Sequence, residues 1–299
     1  NMLPQESSPG DWSHILVQDQ GRATIEHAEF WYGGFPHTHK TGWVYGNAKQ
    51  AQVIANTGGT LVLNQSTFSR SFTHPIDLSH HSILWQDGVA TTSISNTSFD
   101  GGYMAIKNNS RESGIYIQGN TFSNFTHAEG PIVSGFSFPT LLENVYTNNT
   151  FNGVTTERAT FVTSTTLSSE QSYIFGNVTV SPGVDVILEP GVSLALRPRA
   201  TWQIFGRLFT NGTEEQPVQV VPSVPATYWG SLIFEEGSEG VFTHTELIGG
   251  NHGEAELSKN GMVIGKNSTL VFTHVLFQDA RRPGNMVFFD QSDVTIADS

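Results

Sequence analysis

The sequence predicts an all-β chain built as a parallel β-solenoid, and three observations lead there. A six-residue motif recurs along the 299 residues, the residues before each instance alternate apolar and polar, and no segment carries a capped 3.6-residue period. Composition points the same way. Only 14% of residues are charged, and 30 are glycine, which favours strands and turns over helical globular structure.

The motif is an apolar residue, four mostly polar residues, then Phe or another large apolar residue. Its instances are Ile25-Glu-His-Ala-Glu-Phe30, Leu63-Asn-Gln-Ser-Thr-Phe68, Ile94-Ser-Asn-Thr-Ser-Phe99, Ile117-Gln-Gly-Asn-Thr-Phe122, Phe242-Thr-His-Thr-Glu-Leu247 and Phe272-Thr-His-Val-Leu-Phe277, with Tyr146-Thr-Asn-Asn-Thr-Phe151 as a weaker seventh. Final residues are separated by 38, 31, 23 and 29 positions in the first half and by 30 in the second. Such variable spacing implies loops inserted into a fixed unit. Short runs such as Thr60-Leu-Val-Leu63, Thr91-Thr-Ser-Ile94 and Gly114-Ile-Tyr-Ile117 precede the motif with the period of a strand. A strand, a polar turn and another inward apolar residue make one coil, which buries its face only against the coils above and below. Asn64, Asn96, Asn120, Asn148 and Asn149 fall at the turn, where Asn tolerates left-handed backbone and bonds neighbouring main chain, so they read as structural ladders.

The second half opens with strands at Tyr173–Val180, Asp185–Leu188, Val192–Leu196, Trp202–Phe209 and Pro217–Val221, punctuated by Pro182-Gly183, Pro190-Gly191 and Asn211-Gly212. Leu167 to Tyr173 lacks strand alternation and is expected to be a short helix or linker. A larger duplication overlies the coils. Trp12, His27, Glu29 and Gly33-Gly34 match Trp229, His244, Glu246 and Gly249-Gly250, with Trp, His and Glu recurring 217 positions later. The expected organisation is therefore 1–163, the later coils of one module, and 164–299, the opening coils of a second. Asp293-Val-Thr-Ile-Ala297 reads as the beginning of a further coil.

The run from Tyr173 through Leu188-Glu-Pro-Gly191, Phe205-Gly-Arg-Leu208 and Gly212-Thr213 to Trp229-Gly230, His244 and Gly249-Gly250 resembles right-handed parallel β-helix repeat modules of secreted and cell-surface, adhesin-like proteins. The resemblance covers nearly the whole chain. It implies a right-handed parallel β-helix first and an extracellular or cell-surface setting second, but no activity, because this fold hosts adhesins, structural proteins, lyases and glycosidases alike.

Composition excludes several function classes. The formal charge is −13 and Arg281-Arg282 is the largest basic cluster, so no nucleic acid is expected as a partner. Cysteine is absent, which removes disulfides, thiolate zinc sites and thiol catalysis. No apolar run is long enough to form a transmembrane segment, and the first residues lack the basic and apolar regions of a signal peptide, as in a mature or excised chain.

Candidate chemistry is sparse. His27, Glu29, His244 and Glu246 are placed to share a strand face, with His274 aligned one coil on; recurrence in two modules favours a structural stack of histidines over a metal site. His37 and His39 form two ligands of a metal set whose third would be His74, His80 or His81. Asp77, Asp87 and Asp100, with His80 or His81, are the residues a polysaccharide lyase or glycoside hydrolase would bring into one groove. Isolated Asp residues in turns are more often turn formers. A flat Thr array for ice or mineral binding is opposed by the varied coil lengths. Eight Asn-x-Ser/Thr sequons occur, at Asn64, Asn96, Asn108, Asn124, Asn148, Asn177, Asn211 and Asn267, although ladder turns favour these same residues. Arg281-Arg282 with Lys266 is the one basic grouping suited to an acidic glycan.

The leading functional candidates are aromatic. Trp31, Tyr32, Trp43, Tyr45 and Trp85 cluster around the longest inserted loop, where rigid ring faces would stack on sugar C–H faces. The expectation is thus a non-enzymatic structural or adhesive segment with no catalytic residues, no metal and no cofactor, calcium being left open. Its expected partners are a glycan or a neighbouring cell-surface protein, together with end-to-end self-association. The alternative is a polysaccharide-active enzyme on the same scaffold.

Overall fold

A computed structural model describes residues 15–31, 54–69, 82–110, 115–251, 261–281 and 286–299. Among these residues there is no helix; the chain is all-β, and its strand ladders are parallel. Two compact units, Asn1–Thr155 and Thr156–Ser299, divide it.

In the first unit three strands make one rung. The rungs are β1 (Ile15–Gln18), β2 (Arg22–Glu26) and β3 (Glu29–Trp31); β4 (Ile54–Thr57), β5 (Thr60–Asn64) and β6 (Thr67–Ser69); β7 (Ser82–Gln86), β8 (Thr91–Ser95) and β9 (Ser98–Gly102); β10 (Met104–Asn108), β11 (Ile115–Gln118) and β12 (Thr121–Phe125); β13 (Ile132–Ser134), β14 (Thr140–Leu142) and β15 (Val145–Thr147). Every third strand pairs in parallel. Hence β1, β4, β7, β10 and β13 form one ladder, and the second and third strands of each rung form two more.

The recurring motif is the joint between the second and third strand of a rung. Its first residue points inward at the end of one strand and its last points inward from the next. The third position turns the corner in left-handed backbone, with φ of 52° at His27, 47° at Gln65, 49° at Asn96, 64° at Gly119 and 53° at Glu143. The fourth position is small or polar and builds a ladder under that corner. Backbone N–H groups of Ala28, Ser66, Thr97 and Asn120 donate to the side-chain oxygens of Ser66, Thr97, Asn120 and Asn144 in turn, at 3.2, 3.4, 2.9 and 3.1 Å. Each corner N–H that cannot join a strand ladder is satisfied by the rung above. Asn149 does the same one corner later, accepting from Phe125 N and donating to Phe122 O. The structure thus makes Asn120 and Asn149 ladder residues, with Asn64 accepting from Ser95 and Asn96.

The final residues of the motif stack as a column. Phe30, Phe68, Phe99, Phe122 and Tyr146 lie ring on ring, with centroids 4.5, 5.1, 5.1 and 5.4 Å apart, close to the spacing of neighbouring strands. Leu61, Leu63, Ile94 and Ile117 fill the core beside them. This corrects the seventh motif. Ile117 pairs with Leu141 and Phe122 with Tyr146, so the fifth instance is Leu141-Leu-Glu-Asn-Val-Tyr146, while Tyr146 to Phe151 belongs to the next corner. The Phe position is filled by Tyr, which disguised the register.

The strand β16 (Gly153–Phe161) begins in the first unit and ends in the second. The second unit continues with β17 (Thr165–Leu167) and β18 (Ser172–Val180); β19 (Asp185–Leu188), β20 (Ser193–Leu196) and β21 (Trp202–Ile204); β22 (Arg207–Asn211), β23 (Val218–Pro222) and β24 (Leu232–Phe234); β25 (Glu239–Ile248) and β26 (Val263–Lys266); β27 (Thr269–Gln278) and β28 (Val287–Asp290); and β29 (Asp293–Ala297). Long strands serve two ladders each: β25 pairs with β22 through Glu239–Thr243 and with β23 through Thr245–Leu247. Between the two runs lies His244, at a φ of 42°. The expected helix or linker at Leu167 to Tyr173 is instead the end of β17, a tight turn, and the start of β18. Tyr173 organises that turn, its hydroxyl oxygen accepting from Ser168 N at 3.0 Å and Gln171 Nε2 at 2.8 Å.

The motifs that carried the family resemblance have structural roles. Gly191 and Gly183 take φ of 77° and 76° behind their prolines, the geometry of a type II turn. Trp229 is fully buried and its indole N–H donates to Ile248 O at 2.7 Å. A Cβ on Gly250 would lie 2.6 Å from the Trp229 ring, and one on Gly230 would lie 2.7 Å from Ala200 O. Trp229 and Gly250 are thus two halves of one packing contact.

Candidate functional site

The structure does not assemble the five aromatic candidates into one described surface. Tyr32, Trp43 and Tyr45 lie outside the described residues, and Trp31 is placed only as the last residue of β3. Trp85 is described. It lies on β7 in register with Ala55 and Lys107 on the flanking strands, half-buried, with a buried indole Nε1 that has no hydrogen-bond partner among the described residues. Both faces of its strand are covered: Leu84 faces the core, and Ile83 on the opposite face is also buried, as are Ala105 and Val133 on the next two strands. An orphaned donor at such a place is costly unless something accepts from it. Sequence reasoning selected this ring for its type; only the fold shows the unpaired N–H.

The histidines separate into corners. His244 and His274 stack ring on ring, centroids 4.5 Å apart and planes inclined by 20°, each at a left-handed corner. The stack expected from the repeat is therefore present for this pair. His27 occupies the equivalent corner of the first unit, with Gln65 rather than His on the next rung. Because the corner residue breaks the strand's alternation, Glu246 does not extend the histidine stack; it accepts from Gln219 Nε2 at 2.7 Å instead. Among the described residues no three His, Asp or Glu side chains are grouped to hold a metal ion. His37, His39, His74, His80 and His81 lie outside them.

The carboxylates proposed for a common groove are similarly divided. Asp77 lies outside the described residues. Asp87 follows β7 and accepts from Gly88 N at 2.8 Å, which is a turn-forming contact. Asp100 sits on β9, in a different ladder, and accepts from Ser123 Oγ at 2.7 Å and Asn124 Nδ2 at 2.6 Å.

The charged residues make local pairs. Arg207 forms a two-pronged ion pair with Asp185 on the preceding rung, both contacts 2.7 Å, and this carboxylate raises the already high guanidinium pKa. Lys266 reaches both oxygens of Glu235 at 3.0 and 3.2 Å, so it is engaged rather than free to join Arg281 against an acidic glycan; Arg282 lies outside the described residues. Among the sequons, Asn108 is buried, its amide donating to Ser134 and Ser137, whereas Asn96, Asn124, Asn148, Asn177, Asn211 and Asn267 are exposed.

No protein family, no curated protein and no solved structure matches this chain. Its function therefore has to be read from its own residues.

Proposed function

We propose that this chain is an extracellular, non-enzymatic structural or adhesive segment, folded as a right-handed parallel β-helix. It presents the aromatic residues Trp31, Tyr32, Trp43, Tyr45 and Trp85 to a glycan or a neighbouring cell-surface protein, and it associates end to end. The observation that carries the reading is the unbroken register of parallel rungs with inserted loops, a scaffold whose stacked columns are stiff and whose loops are free to vary. Right-handedness follows the general preference of parallel crossover connections. The separation of Asp87 from Asp100 weighs against the enzymatic alternative.

The test is a glycan and polysaccharide array on the purified chain, with and without calcium, while unsaturated and reducing-end products are followed. Binding without turnover, lost in Trp43→Ala or Trp85→Ala variants that keep the β-sheet circular dichroism of the parent, is the expected result. Turnover abolished by Asp77→Asn or Asp87→Asn would overturn it and make the chain a polysaccharide-active enzyme.

A further inference from the structure

Eight Asn-x-Ser/Thr sequons run through the repeat, and the fold treats them unequally. A sugar joined to asparagine replaces one of the two hydrogens on Nδ2 and leaves Oδ1 able to accept. A sequon that the folded chain can carry in glycosylated form therefore has an exposed Nδ2 with no bond to give up, whatever its Oδ1 does.

Five of the eight do not meet that requirement. Asn108 is buried and spends its amide on Ser134 Oγ at 3.0 Å and Ser137 Oγ at 2.9 Å. Asn124 donates from Nδ2 to Asp100 at 2.6 Å, Asn267 to Glu236 at 3.2 Å and Asn96 to Asn64 at 3.4 Å. A sugar on any of these nitrogens would be set against the side chain it already holds. Asn64 receives the last of those bonds and is half-buried, and its sequon hydroxyl, on Ser66, is buried and donates to Asn64 O at 2.9 Å.

The other three do meet it. Asn148 is exposed at a corner with φ of 55°, and its side chain has no hydrogen-bond partner among the described residues, since the neighbouring Asn149 makes the ladder bonds. Asn177 is exposed on β18; its Oδ1 accepts from Thr201 N at 2.9 Å, a contact that a sugar on Nδ2 leaves in place. Asn211 is exposed at the end of β22, where it opens a turn whose Thr213 is exposed as well. All three sequons end in Thr, and none has Pro in the middle.

We infer that Asn148, Asn177 and Asn211 are the N-glycosylation sites of this chain and that the other five sequons serve the rungs. The inference rests on the extracellular setting in the proposed function. In the transfer, Nδ2 bonds to the anomeric carbon of a lipid-linked oligosaccharide as the bond from that carbon to the lipid diphosphate breaks. The diphosphate leaves with its lipid, and the amide proton passes to a base of the transferase. Transfer takes place on the emerging chain, so the fold acts afterwards, by deciding which glycans the finished rungs tolerate.

The test is secretion of the 299-residue chain behind a cleavable leader from a glycosylating eukaryotic host. An N-glycosidase acting in heavy-oxygen water then turns each occupied Asn into labelled Asp. Peptide mapping should find the label at Asn148, Asn177 and Asn211. Thr150→Ala, Thr179→Ala and Asn211→Gln should each remove one of three steps in gel mobility and leave the β-sheet circular dichroism unchanged. No label at these three positions in the folded secreted chain, label at Asn108, or label spread evenly over all eight would overturn the inference. Running the glycan array on bacterially made chain, which carries no sugar, keeps the two proposals separate: the adhesive reading stands or falls on the array, the site assignment on the label.

Discussion

At the scale of single residues, backbone conformation decides which side chains are tolerated. The corner of each rung needs positive φ, and the chain supplies His27, Gln65, Asn96, Gly119 and Glu143 there, only one of them glycine. Non-glycine residues in this region carry strain, which the cross-rung hydrogen bonds of the neighbouring position offset. Tyr173 shows a residue effect that pH exposes. Burial, opposed by hydrogen bonds from Gln171 and Ser168, pushes its phenol up from 10.0 to about 12. The unfolded phenol ionises first, so above pH 10 the unfolded state holds fewer protons and stability falls until the folded phenol also titrates near pH 12. This contribution is at most about 2–3 kcal/mol. Tyr173→Phe is expected to be less stable at neutral pH, having lost two hydrogen bonds, but to show a flatter decline between pH 10 and 12 in urea titrations. An equal slope in both proteins would assign the alkaline loss elsewhere.

At the scale of elements, the six-residue motif is a strand end, a corner and a strand start. Its first and last positions were legible because burial demands apolar residues there, and its third and fourth because Asn, Ser and Thr suit corners. What obscured one instance was substitution within those classes: Leu141-Leu-Glu-Asn-Val-Tyr146 ends in Tyr, and the ring still stacks on Phe122. The strand β17 escaped for a different reason. Ser164-Thr-Thr-Leu167 has little hydrophobic alternation, and its pairing with β19 determines its conformation. The ladder under the corners is the element's weak point if cut. Asn120 accepts from Thr97 N and donates to Ile94 O while fully buried. Asn120→Ala leaves both groups unpaired, and a loss of about 1–3 kcal/mol is expected in the denaturant midpoint. Serine at this site, as at Ser66, should recover part of it.

At the scale of the whole molecule, each rung rests only on its neighbours, so stability is a sum of rung and interface terms within each unit. Among the described residues β2 and β29 pair on one side, and in the 299-residue chain their amides are expected to exchange with solvent faster than those of β8 in the first unit and β25 in the second, which have strands on both sides. Uniform protection in the free chain at low concentration would contradict this. The same arrangement explains why loop lengths vary: a loop leaving a rung costs little as long as the chain re-enters in register.

By itself the sequence determined the class, the repeat and the stacking residues, because period-2 burial and corner chemistry are local demands that each rung repeats. It also excluded thiol chemistry and opposed nucleic-acid binding, since both depend on residue content alone. Only the tertiary structure decided which Asn side chains support the ladder, that Asp87 and Asp100 lie in different parts of a rung, that Lys266 is already paired, and that the Trp85 N–H is buried with no acceptor among the described residues. These depend on which rung lies above which residue, a relation between positions 21 to 39 residues apart that the varied loop lengths conceal.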